Sequence, residues 1–61
     1  MSYEQAEFKY ANHMREHYGL IGDIEYPDKD QSKQDPEGNW LLISNQGQKM
    51  AKVLTTGRII T

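Results

Sequence analysis

Residues 35–47, Asp-Pro-Glu-Gly-Asn-Trp-Leu-Leu-Ile-Ser-Asn-Gln-Gly, decide the fold. Asp35, Pro36 and Gly38 stand at the first, second and fourth positions of a type I turn. The aspartate can accept from the turn's own backbone, and the proline ring presets φ where the turn needs it. Asn39–Ser44 then supplies a run apolar enough to be buried on both faces, which predicts a central strand. Asn45-Gln46-Gly47 predicts a second turn. A strand held between two tight turns implies antiparallel neighbours on both sides.

Downstream, Gln48–Leu54 admits two readings. As a helix it would place Met50, Val53 and Leu54 on one stripe. As a strand it would send Ala51 and Val53 one way and Met50, Lys52 and Leu54 the other. Seven residues between glycine-bearing turns suit a strand better than a helix. Thr55-Thr56-Gly57 then leads into Arg58–Thr61 as a last strand. Upstream, Pro27–Asn39 contains almost nothing apolar and predicts a mobile polar loop over about 27–38. Leu20–Tyr26 alternates weakly and predicts a short strand ended by Pro27.

The first segment predicts a helix over about 2–18. Ser2 can cap its N-terminus, with Gln5 three residues later completing a capping box. Tyr3, Ala6, Tyr10, Ala11, Met14, His17 and Tyr18 share one face at 100° per residue, with Phe8 at its margin. Gly19 suits the left-handed position that ends a helix. The expected fold is therefore α+β: one N-terminal amphipathic helix on a small antiparallel β-meander of three to four strands. All of 1–61 forms one small domain, with a C-terminal β-hairpin region over about 39–61.

Sixty-one residues, 36% of them hydrophobic and none cysteine, leave a thin core without disulfides or thiolate metal sites. Such a core rarely contributes more than about 3–5 kcal/mol, so association with a second copy or a partner is an expected source of stability. No apolar run approaches the roughly 20 residues that span a bilayer. The start lacks the basic and apolar stretches of a secretory signal. The expectation is a soluble, cytoplasmic protein with no membrane role.

The net charge of −2 is unevenly distributed. Residues 1–37 carry all nine acidic groups and four basic ones, a net of −5. Residues 38–61 carry Lys49, Lys52 and Arg58 and no acid. Either the two segments attract one another across the fold, or the basic segment meets an acidic partner.

Two stretches imitate known chemistry. His13-Met14-Arg15-Glu16-His17 resembles the H-x-x-E-H motif of inverzincin metallopeptidases. The resemblance implies His13 and His17 as zinc ligands and Glu16 as base, over five residues of the chain. Four-residue spacing does place both imidazoles along one side of a helix. A catalytic zinc also needs a third protein ligand and a walled cleft, for which this chain has little material. The commoner meaning is a helix C-terminal half whose histidines complement the dipole. Asp28-Lys29-Asp30-Gln31-Ser32 imitates the opening of an EF-hand loop. Lys33 then stands where glycine must turn, and Asn39 where a bidentate glutamate belongs. Neither a nucleophile elbow nor a phosphate-binding glycine loop is present.

These features predict no catalytic residue, no cofactor and no metal beyond His13 and His17 as weak candidates. They predict a non-catalytic protein-binding module of regulatory, adaptor or inhibitor type, of unspecified partner and prone to homo-oligomerise. The contact residues would be Tyr10, Tyr18, Tyr26, Trp40, Lys49, Lys52 and Arg58. Six aromatic residues are more than so small a core hides. Trp40 is expected to pack in the core through Tyr10 and Met14, leaving Tyr18, Tyr26 or Phe8 exposed. The alternative is single-stranded nucleic acid bound on the sheet, with Trp40 stacking a base and Lys49, Lys52 and Arg58 meeting phosphates.

Overall fold

A computed structural model describes residues 1–19 and 24–61. Helix α1 runs over Tyr3–Tyr18, and four strands follow: β1 (Lys33–Gln34), β2 (Trp40–Ile43), β3 (Lys49–Val53) and β4 (Ile59–Ile60). The strands pair antiparallel in sequence order, β1-β2-β3-β4, and α1 lies on one face of the sheet. This is the α+β meander that the turn residues imply, with β2 and β3 as its centre.

The helix ends are those its local sequence specifies. The Ser2 hydroxyl accepts from Gln5 N–H, and the Gln5 side chain accepts in return from Ser2 N–H at 2.9 Å. Gly19 closes the other end at φ 62°, donating to the Arg15 carbonyl. Between the ends, burial is narrower than the apolar stripe. Tyr3, Ala6, Tyr10 and Ala11 are buried and Met14 half-buried, whereas His17 and Tyr18 are exposed. The last turn of the stripe therefore meets no core.

All three hairpin connections share one hydrogen-bond pattern. The glycine N–H donates to the carbonyl three residues earlier: Gly38 to Asp35, Gly47 to Ser44, Gly57 to Leu54. The residue before each turn then receives the returning strand, as Ser44 N–H donates to Gln48 O. Each glycine has positive φ, as a type I turn followed by a left-handed residue requires. The pattern recurs although the residues around it differ.

Three expectations are corrected. The weak strand over 20–26 lies outside the described residues at 20–23, and Ile24, Glu25 and Tyr26 form no strand; Ile24 is instead a buried core residue. The polar segment 27–38 contains β1, which pairs Lys33 with Leu41 and Gln34 with Trp40. An edge strand needs backbone partners rather than apolar side chains, so its composition hid it. Buried Ser32 secures it: its hydroxyl donates to Asp28 O at 2.7 Å and accepts from Ile43 N–H at 3.0 Å, while Asp28 N–H reaches Ile43 O. Lastly, β2 is buried on one face only. Leu42 is fully enclosed while Leu41 and Ile43 are half-buried, because a single helix can cover only one side.

The core consists of Tyr3, Ala6, Tyr10, Ala11, Ile24, Leu42, Ala51 and Val53, flanked by Met1, Met14, Trp40, Met50 and Ile59. A register shift after Leu42 leaves Met50 outside the β2–β3 pairing, so that its side chain packs at the core margin. Polar links hold the ends of the layers together. The Tyr3 hydroxyl lies 2.7 Å from both Pro27 O and the Glu7 carboxylate, and its single proton is divided between them. The Trp40 ring packs edge-on against Tyr3, and its indole N–H donates to Met1 O at 2.9 Å. Trp40 thus anchors the start of α1 through Tyr3 and Met1.

Two predictions follow from this packing. Gly38 and Gly19 both have positive φ, but a Cβ on Gly38 would stand 3.2 Å from Thr55 Cγ2, whereas one on Gly19 would meet nothing. Gly19→Ala should cost about 1 kcal/mol from backbone conformation alone, and Gly38→Ala measurably more, as read by urea unfolding. Burial, reinforced by the neighbouring Glu7, holds the Tyr3 phenol well above its ordinary value of 10.0. The stability gained by keeping it protonated is complete below that value and is lost as pH rises from about 10 towards the raised value. The unfolding midpoint should fall across that range, and Tyr3→Phe should flatten the fall.

Candidate functional site

Side chains alternate along a strand, so the residues between the buried ones form the sheet's other face. Leu42, Ala51, Val53 and Ile59 pack towards α1. Leu41, Lys52 and Ile60 therefore point away from it. Strand register aligns these with Lys33 in one cross-strand row: Lys33 opposite Leu41, Leu41 opposite Lys52, Lys52 opposite Ile60. Cation and aliphatic alternate across all four strands. No described element covers this row.

At the β1–β2 end, the row borders a shallow depression of about 320 Å³ between Lys33, Gln34, Asp35, Asn39, Leu41 and Lys52. Its walls are well ordered by polar contacts. Asp35 accepts from the backbone N–H of Glu37 and Asn39 and from the Asn39 side-chain amide, at 2.8–3.1 Å. The Asn39 side-chain Oδ1 accepts from Thr55 N–H and so ties this turn to the β3–β4 turn. Desolvation raises the Asp35 carboxyl, but these hydrogen bonds, with Lys52 4.0 Å away, outweigh it and hold the group below its usual range. The Asp35–Lys52 contact joins the acidic and basic segments of the chain. The ion pair between Lys29 and Glu4, at 2.9 Å, is exposed and lies within the acidic segment.

The residues expected to contact a partner do not form one surface. Tyr10 is enclosed in the core, and Trp40 spends its ring on Tyr3. Tyr18 and Tyr26 are 58% and 49% exposed, and the Tyr26 hydroxyl accepts from Arg15 at 3.3 Å. Both belong to the neighbourhood of the α1 C-terminus, away from the strand row. Phe8, at 65%, is the most exposed aromatic. Lys52 lies in the middle of the uncovered face and Lys49 is exposed at the start of β3. Arg58 belongs to the opposite side, where it lines a seam with α1.

His13 and His17 are brought together as their spacing implies, with ring centroids 4.2 Å apart and planes tilted by 32°. Among the described residues, no group of three or more histidine, cysteine, aspartate or glutamate side chains converges where a metal ion could be held. The acidic side chains of the Asp28–Ser32 segment likewise form no such group among the described residues.

Lys33 and Leu41 were not among the residues singled out from the sequence, and Ile60 entered only as part of the expected last strand, Arg58–Thr61. Their signal lay in register. Once the glycine turns fix which residues face one another, Leu41 and Lys52 fall into one row, but Lys33 joins it only if the polar segment is recognised as a strand. No protein-family model matches the chain, and neither a curated protein nor a solved structure resembles it closely enough to lend it a function.

If the uncovered row is a surface rather than part of the core, its truncation should be mild. Leu42→Ala should cost about 2–5 kcal/mol, enough to unfold most of the chain. Leu41→Ala and Ile60→Ala should each cost no more than about 1 kcal/mol. Denaturant midpoints of the three variants check this directly.

Proposed function

We propose that this chain is a non-catalytic protein-binding module that works through the uncovered sheet face and the adjoining β4 edge, with a second copy of itself as the favoured partner. The observation that carries the reading is the four-strand row Lys33–Leu41–Lys52–Ile60, apolar in alternate positions and unburied by any described element. Ile60 is 48% exposed on an edge strand. Edge strands normally carry charge, proline or a covering segment to prevent pairing. The β1 edge conforms: its residues are Lys33 and Gln34, with Pro36 just beyond. The β4 edge consists of two isoleucines with Arg58 just before them, and its apolar side chains suit strand addition by another chain.

The depressions on the surface are shallow, from about 320 to 540 Å³, and open to solvent. Occupancy of a surface fits them better than chemistry in an enclosed chamber. Nucleic acid is the weaker alternative. Trp40 is turned towards α1 and bonded to Met1 O, and no other strand residue is aromatic. The face bearing Lys33 and Lys52 thus lacks a platform on which a base could stack.

Sedimentation equilibrium over a wide concentration range tests the favoured version. The wild-type chain should populate a dimer as concentration rises. Ile60→Lys, which puts a charge on the edge, and Leu41→Lys should each return it to monomer without loss of secondary structure. A wild-type chain that stays monomeric throughout would refute self-association by this face.

A further inference from the structure

We propose that the seam between α1 and the β3–β4 turn is a second, separate site, one that binds a small phosphate-type oxyanion. The seam is an open groove of about 440 Å³, which suits a small anion held at the surface. Lys9, Asn12, His13 and His17 line it from the helix, and Gly57 and Arg58 from the turn. Lys9 and Arg58 come from opposite walls and belong to elements far apart in sequence. Their convergence is a product of the fold.

Hydrogen-bonding capacity selects the class of ligand. Lysine and arginine offer three and five N–H donors and no acceptor, the asparagine amide adds two donors, and each imidazole at least one. Glu16 is the single acidic residue in the lining. Among the described residues neither Lys9 nor Arg58 has a carboxylate within ion-pair distance, in contrast to Lys29 with Glu4 and Lys52 with Asp35. A surface so rich in donors calls for a ligand rich in acceptors, and a tetrahedral oxyanion supplies several at once. Arginine can grip two of its oxygens together while lysine acts as a point charge.

Gly57 gives the seam its shape. Its φ of 91° lets the turn fold back, and a Cβ there would lie 3.4 Å from Lys9 Nζ. The ammonium group therefore lies against the turn, beside Gly57 and in the seam that Arg58 also lines. The paired imidazoles of His13 and His17 continue the donor surface along the helix. Two imidazoles would also suit a transition metal, but a cation entering here meets Lys9 and Arg58, whose charge opposes it. The same charges favour an anion. A long nucleic acid is disfavoured for a different reason: beyond the seam lie eight of the nine carboxylates of residues 1–37, which would repel an extended phosphate backbone.

Free phosphate and a phosphate monoester share this chemistry, and two titrations separate them. Amide and imidazole NMR shifts are followed while inorganic phosphate, and separately glycerol 3-phosphate, replaces chloride at constant ionic strength. Saturable shifts confined to Lys9, Asn12, His13, His17, Gly57 and Arg58 are expected. Tighter binding of the ester would identify a monoester as the ligand, and equal or weaker binding would identify free phosphate. Because both cations are exposed, Lys9→Ala and Arg58→Ala should retain the fold. Each should weaken binding about tenfold, as loss of one charge-assisted hydrogen bond does. Lys33→Ala and Lys49→Ala should leave it unchanged. Non-saturating shifts, equal weakening by the Lys33 and Lys49 variants, or tighter binding of a short single-stranded oligonucleotide would each overturn the proposal. These residues are not in the row assigned to self-association, so a monomeric protein could still bind phosphate, and a dimeric one could fail to.

Discussion

The structure depends on how closely one helix can approach one sheet. Ala6 and Ala11 are buried on the inner face of α1, and Ala51 lies opposite them in β3, beside Leu42 and Val53. Small side chains in both layers let the two surfaces approach closely enough to enclose Leu42 and Val53 completely. Interiors are packed to near-crystalline density, so a larger residue at any of these alanines would wedge the layers apart. So small a core has little area over which to spread such a strain.

The two large aromatic residues of the core margin, Tyr3 and Trp40, complete the enclosure where the alanines leave off. Each also has a polar group that must be satisfied when buried. Trp40 satisfies its indole at Met1 O, and Tyr3 its hydroxyl at Pro27 O and Glu7. These bonds reach the helix start and the polar segment before β1, and add to the few apolar contacts that hold each of them. Asn39 has a similar part at the sheet end, where its amide joins the first and third hairpin turns through Asp35 and Thr55. A thin core is thereby extended by hydrogen bonds at its rim, and no buried side-chain polar atom is left without a partner among the described residues.

A two-layer arrangement with a single helix leaves half of the sheet unburied, and this sets what the molecule can offer to others. The outer row and the β4 edge present aliphatic groups and lysines on a rigid surface. The seam beside Gly57 presents mostly donors. The two surfaces differ in chemistry because they arise differently. Strand alternation produces the first, and the meeting of the polar side of α1 with a tight turn produces the second.

Much of the fold was legible because it is encoded locally. Ser2, Gln5 and Gly19 mark both helix ends through bonds spanning three or four residues. Gly38, Gly47 and Gly57 mark the turns, each being the residue that tolerates positive φ, and flanking turns favoured a strand at 49–53 over a helix. The exposure of Phe8, Tyr18 and Tyr26 was also foreseen, from the excess of aromatic rings over core space. What composition could not disclose was every feature whose cause is distant in sequence. β1 exists because Ser32 and the β2 backbone receive it. Trp40, expected in the core, finds Met1 O and the Tyr3 ring there, partners far from it in sequence. His17 is exposed despite its place on the apolar stripe because the core does not reach the last helical turn. Lys9 and Arg58 become neighbours only when helix and turn pack. By itself the sequence determined the elements, since caps and turns are short-range; tertiary structure alone decided which faces were covered, since burial depends on what arrives from elsewhere in the chain.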